Sequence, residues 1–358
     1  MKATRADKAF IKGYSPYIAA LYIQLETTTM KHPVIDLHCD LLAHMLNMPT
    51  PDPFDKEGIG CSFPALAAGN VKLQVMAIFT ATEKGSTLLA VKQSEIFASF
   101  LAKYPDDCTL VHDVSTLNQI ASSSKLGMIA AIENASGFCE EDEPLAIGLE
   151  RLEQIITNTT RILYIGLTHH PENRFGGGNN SDVGLKDDGK TLLQYLNGRK
   201  IAVDFSHASD ALAYDMLAYI AEHSLDIPIL ASHSNYRSIF DHVRNLPDDL
   251  AKEIIKRGAL IGVNFLRAFV NPDDSNALYD HINHGIQLRG INSICFGADY
   301  YSTGGHPDLS RIPFYFEEHG DASRYPAILK SISEQVSPDA VAGIGYQNVM
   351  NYLNKLWE

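Results

Sequence analysis

The sequence predicts an α/β protein of the (β/α)8, TIM-type barrel class, with its active site at the C-terminal ends of the strands. Three observations carry that expectation. Eight short apolar runs, rich in Val and Ile and bounded by polar or turn residues, recur along the chain. Helix-like stretches alternate with them, which implies a parallel sheet, and eight such units are what a closed barrel requires. Histidines and carboxylates stand where several of these runs end, and barrel active sites are built there.

The predicted strands are 34–39, 71–79, 128–132, 162–167, 201–206, 227–231, 260–264 and 293–297. Residues 83–104, 144–160, 190–199 and 276–289 read as helices. Ser209 is a predicted N-cap for a helix whose Leu212, Met216, Tyr219 and Ile220 share one face. Pro247, Asp248 and Asp249 start another helix, which Lys256, Arg257 and Gly258 end. Two stretches break the alternation and are expected to be long loops at the functional face: 43–70, with Pro49, Pro51, Pro53 and Pro64, and the Gly/Asn/Asp-rich 171–189. An open doubly wound sheet is the competing architecture. It lacks its usual signature, because Gly176-Gly177-Gly178 is not G-x-G-x-x-G and no Walker loop is present.

A chain of 358 residues with 45% hydrophobic and 20% charged residues is a folded globular protein, not a disordered, collagenous or coiled-coil one. The expected organisation is an N-terminal extension, 1–33, followed by a single domain, 34–358. The 43 acidic against 29 basic residues leave a net charge of −14, and no basic patch offsets it, so no nucleic-acid partner is expected. No apolar run is long enough to span a bilayer, so no membrane partner is expected either. Lys2, Arg5, Lys8 and Lys12 precede a short apolar run, 18–23, with no A-x-A site after it, and a cytoplasmic location is expected. Five scattered cysteines without a C-x-x-C pair argue against a disulfide framework or a thiolate zinc knuckle, and Cys39 is read as packing.

His38 and Asp40 close the first predicted strand, two residues apart and so on one side of an extended chain. Glu133 closes the third, His169 and His170 follow the fourth, His207 the fifth, His233 the sixth and Asp299 the eighth. Of these, His38, Asp40, Glu133, His207 and His233 are candidate ligands of the nitrogen and oxygen types that suit zinc. A lone His at a strand end is usually structural, and Asp299 alone would read as a helix cap. Convergence at one end of one barrel is different, because such groups would repel or sit unpaired unless a cation joined them. Asp36 is assigned to capping or to support of its neighbours. His32, His242, His281, His284 and His306 lack the strand-end placement and are read as surface or structural residues.

The segments DLHCDLL (36–42), IENASGF (132–138), LTHH (167–170), VDFSHAS (203–209), ASHSNYRSI (231–239), RNLPDD (244–249) and FGAD (296–299), in this order, resemble the renal or membrane dipeptidases, a branch of the metal-dependent hydrolase barrels. The resemblance runs from about residue 34 to the C-terminus, where GYQNVMNYL (345–353) is similar to the family's last helix. It implies a zinc-dependent dipeptidase with two zinc ions per chain, bridged by Glu133 and a hydroxide that attacks the peptide carbonyl. His38 and Asp40 would bind one ion, and His207 and His233 the other. His169 would polarise the carbonyl oxygen, Arg244 would hold the substrate's terminal carboxylate, and Asp299 would be the proton shuttle. His169 rather than His170 is chosen by motif register, with Asn173 and Arg174 as possible loop contacts. A homodimer is also implied.

The match departs from the family at two places. Glu133-Asn134-Ala135 stands for Glu-Gly-Gly, and Gly297-Ala298-Asp299-Tyr300-Tyr301-Ser302 for Gly-Gly-Asp-Phe-Asp-Gly. The first acid is kept in each case, while the residues lining side-chain pockets differ. The alternative function is therefore hydrolysis of another small amide, lactone or ester on the same metal barrel.

Overall fold

The computed structural model describes residues 32–303 and 311–358. The predicted extension therefore lies outside the described residues except for His32 and Pro33, as do the apolar run 18–23 and His306. Pro33–Glu358 is one compact unit.

Its strands are β1 (Val34–Cys39), β2 (Val71–Phe79), β3 (Cys108–Leu110), β4 (Leu126–Glu133), β5 (Ile162–Gly166), β6 (Ala202–Asp204), β7 (Ile229–Ala231), β8 (Leu260–Val263) and β9 (Ile294–Phe296). β1 pairs with both β2 and β9, and β2 pairs with β4. From there neighbours follow in chain order to β9, so eight parallel strands close a ring. These eight are the predicted ones. β3 is additional and flanks β4 alone; three residues are too few for an alternation to register in the sequence.

Around the ring run α1 (Leu41–Leu46), α2 (Phe63–Ala68), α3 (Ser86–Lys103), α4 (Val114–Gln119), α5 (Leu145–Thr159), α6 (Asp187–Leu196), α7 (Asp210–Glu222), α8 (Asp248–Lys256), α9 (Arg267–Val270), α10 (Ala277–Gln287), α11 (Tyr325–Ser333), α12 (Pro338–Ala342) and α13 (Asn348–Trp357). Ser209 caps α7 as expected, its hydroxyl accepting from Leu212 N–H at 2.9 Å. Within 43–70 the expected loop spans 47–62, flanked by the end of α1 and by α2. The prolines of 43–70 suggest a loop, yet Pro64 sits in the first turn of α2, where no intrahelical N–H is needed. Among the described residues no helix is long and apolar enough to cross a membrane.

Successive strand residues face opposite ways, which splits the core in two. One buried cluster takes Ile35, Leu73, Ile129, Leu163, Ala202, Leu230, Leu260 and Cys295, one from each ring strand, and is therefore the barrel interior. Val349, Met350 and Leu353 of α13 belong to the same cluster and seal its lower end. The other cluster joins Met128, Ala130 and Ile132 to the surrounding helices. Asp36 is buried near the seam between β1 and β9. It accepts from the backbone N–H of His38 at 2.8 Å and of Ala298 at 3.3 Å, and from the hydroxyl of Tyr325. It thus ties together the backbones that carry His38 and Asp299.

Above the apolar interior the strands approach closely. A Cβ on Gly297 would stand 1.9 Å from the carbonyl oxygen of Ser232, a backbone atom that no rotamer change can remove. Gly297→Ala is expected to destabilise the fold by about 3 kcal/mol, the upper end of ordinary overpacking costs. Chemical denaturation of the two proteins checks this, and equal midpoints would show that the strands part freely here.

Candidate functional site

Glu133, the last residue of β4, is the hub of the site and is nearly buried. Its Oε1 lies 2.9 Å from Nε2 of His207, 3.4 Å from Nε2 of His233 and 3.9 Å from Nε2 of His169. Its Oε2 lies 3.2 Å from Nε2 of His38. Two groups of potential metal ligands, His38–Asp40–Glu133 and Glu133–His207–His233, share this carboxylate, each with its donor atoms within 4.8 Å of one another. All five candidate ligands from four strand ends are thus brought together. Asp299 adjoins them, with Oδ1 3.8 Å from Nε2 of His38 and Oδ2 accepting from Asn264 Nδ2 at 2.8 Å. The backbone is bent to place these groups: His207 (φ 67°) and Asp299 (φ 62°) adopt a left-handed conformation that non-glycine residues rarely take.

Each ring is oriented from behind. Tyr164 on β5 donates its hydroxyl to Leu37 O (2.8 Å), so its oxygen accepts from His38 Nδ1–H at 2.7 Å. Ser232 donates to Asp204 and accepts from His233 Nδ1–H at 2.6 Å. Asn179 Oδ1 accepts from His207 Nδ1–H at 3.2 Å and from His170 Nδ1–H at 3.0 Å. With each Nδ1 protonated, the Nε2 atoms carry bare lone pairs. Nε2 of His207 and of His233 stand 3.0 Å apart with no proton between them. Nε2 of His38 and Oδ1 of Asp40 are buried without a hydrogen-bond partner. Such facing acceptors are what a divalent cation would satisfy, and the residues fit that group.

The electrostatics agree. Burial holds His207, His233 and His169 well below the ordinary imidazole range, keeping them neutral. Burial pushes Glu133 up to about 8 and Asp299 to about 6, and burial together with the charge of Glu133 pushes Asp40 well above the carboxylate range. A bound cation reverses this order by favouring the ionised carboxylates.

The site opens into a cavity of about 690 Å³, walled by Leu46, Phe79, Leu89, Leu266, Phe269 and Phe314 among others. Both His169 and His170 reach this wall, and the ring of His169 packs 4.8 Å from that of Phe79. Arg244 is not on it. It is 3% exposed, packed against Phe269, with Nη1 donating to Ser234 Oγ (3.0 Å) and Nη2 to His233 O (2.9 Å). Its Nε–H has no partner. Asn173 and Arg174 brace the loops, Asn173 donating to Asn134 Oδ1 and Arg174 pairing with Asp188. The triple glycine has its own reason, since a Cβ on Gly178 would meet His169 O at 2.0 Å. Of the excluded histidines, His281 is buried between Tyr236 N and Val270 O, and His284 pairs with Asp248.

Residues 24–356 match the family described as membrane dipeptidase, peptidase family M19. An uncharacterized protein in the pqqA 5′ region of Klebsiella pneumoniae is 24% identical over 283 residues, covering 75% of this chain and 96% of that protein. Two solved structures share the fold, each with a TM-score of 0.78 over 91% of this chain and 99% of their own. One is the M19 metallopeptidase dipeptidase AC, 18% identical. The other is a metallopeptidase of Rhodobacter sphaeroides, 16% identical and liganded with a phosphinate mimic of L-Ala-D-Ala.

The supporting hydrogen bonds are testable without turnover. Tyr164→Phe is expected to weaken metal binding about 10- to 100-fold, measured by competition with a chromogenic chelator, with the circular dichroism spectrum unchanged. Wild-type affinity in that variant would show that Tyr164 does not set the tautomer of His38.

Proposed function

Because the chain belongs to the membrane dipeptidase family of metallopeptidases, we propose that it hydrolyses dipeptides with two zinc ions held at the mouth of its barrel. The observation that carries this reading is the shared carboxylate: Glu133 stands between the His38–Asp40 pair and the His207–His233 pair. Zinc bound there would supply a nucleophilic water at neutral pH and draw charge off the scissile carbonyl. Everything else falls to side chains.

His169, on the cavity wall and close to Glu133, donates a hydrogen bond to the carbonyl oxygen as negative charge develops there. Asp299 holds one oxygen on Asn264 and keeps the other toward His38. That free oxygen takes the proton of the attacking water and returns it to the leaving amine. Arg244 carries a buried positive charge with no carboxylate in ion-pair range among the described residues, and its Nε–H is uncommitted. That guanidinium supports the reading that it holds the substrate's terminal carboxylate.

Three outcomes are expected of the zinc-reconstituted protein. Free dipeptides are cleaved and their C-terminal amides are not, and Arg244→Ala erases most of that difference. Asp299→Asn retains its metal and loses about 100- to 10,000-fold in kcat, read from single-turnover rates beside metal analysis; wild-type rates would remove the shuttle. Turnover of amides, lactones or esters without any dipeptide cleavage would instead select the alternative hydrolase.

A further inference from the structure

Arg151, Arg174, Arg199 and Arg237 each face a carboxylate within ion-pair distance. The cavity wall carries Arg267 and Arg311, and, like the buried Arg244, neither pairs with a carboxylate among the described residues. In a chain of net charge −14 with 43 acidic residues, counter-charges are not scarce.

Arg267 is also immobilised. Its Nε donates to Pro272 O at 3.1 Å, its Nη1 to Pro313 O at 2.8 Å, and its guanidinium packs on Phe316 at 5.1 Å. Its backbone N–H donates to Phe314 O, which anchors α9 to the segment around Phe314. A guanidinium held rigid at a cavity wall, with hydrogens to spare on Nη1 and Nη2, is preorganised for an anion from solution. The acids on the floor, Asp40, Glu133 and Asp299, already belong to the metal site.

We propose that Arg267 and Arg311 form a subsite for a second negative charge on the substrate, so that the preferred dipeptides end in aspartate or glutamate. This rests on the dipeptidase reading. The C-terminal residue is chosen by position: Arg244, assigned above to the terminal carboxylate, packs against Phe269, which lines the same cavity as Arg267. A side chain on the same α-carbon as that carboxylate is the group that lies along this wall. Charge-assisted pairing at a fixed guanidinium discriminates carboxylate from amide more than size does, since the two are nearly isosteric.

The experiment compares kcat/KM for Ala-Asp and Ala-Glu with Ala-Asn and Ala-Gln, with L and D forms of the second residue and Asp-Ala against Asn-Ala as the positional control. The acid is expected to exceed the amide by at least about tenfold at low salt, with the ratio falling as ionic strength rises. Arg311→Gln is expected to bring that ratio close to one; Arg311 is chosen because Arg267 also holds loops together. An acid-to-amide ratio near one in the wild type, a ratio that Arg311→Gln leaves intact, or a preference confined to the N-terminal residue would overturn the subsite. Cleavage of no dipeptide, acidic or neutral, would overturn the dipeptidase reading and the subsite with it.

Discussion

Everything at the barrel mouth depends on keeping three imidazole nitrogens bare around one buried carboxylate. Left alone that arrangement is unfavourable, because the bare nitrogens of His207 and His233 face each other at hydrogen-bond distance beside a buried carboxyl group. The chain sustains it by committing each remote nitrogen to a partner: Tyr164 on β5, Asn179 in the loop after it, and the adjacent Ser232, backed by Asp204 of β6. The rigidity of the fold is spent on this geometry. Asp36 ties the β1 backbone to the chain just after β9, which carries Asp299, and Gly262 of β8 and Gly297 after β9 let the chain pass close to Ser232 O.

Much of this was legible in the sequence, and the reason is physical. A charged or imidazole residue at the end of an apolar run cannot be part of the packing that the run itself serves. His38, Asp40, Glu133, His207 and His233 therefore announced themselves, and so did the eight ring strands. The supporting shell did not. Tyr164 reads as one more apolar residue of β5, and its hydroxyl matters only once Leu37 O is beside it. Asn179 reads as a loop former, and nothing in GGGNN says that its amide faces two rings. The burial of Arg244 behind Phe269 is likewise a tertiary fact, set by contacts between segments far apart in the chain.

Floor and walls of the site have different origins. The floor comes from strand ends, where a shift of one residue would turn a ligand away from its partners. The walls come from α1, α9 and the segments after β2 and β9, which pack on the barrel without forming it. Tyr301 and Ser302, two of the positions at which the sequence differs from the motif it resembles, lie on this wall. A cavity of about 690 Å³ gives such substitutions room to act on selectivity without touching the reacting groups.

Closure of the ring by β1 against β9 has a consequence for biosynthesis. His38 and Asp299 meet across that seam, although the ribosome makes one long before the other. While the chain is growing, the early ligands have no site to belong to, and the interior they guard has no seal until α13 emerges and packs beneath it. Asp299 joins the five candidate ligands only when β9 closes the ring, so a nascent chain stalled before β9 carries those residues without the completed site and offers a chaperone or protease an open sheet edge.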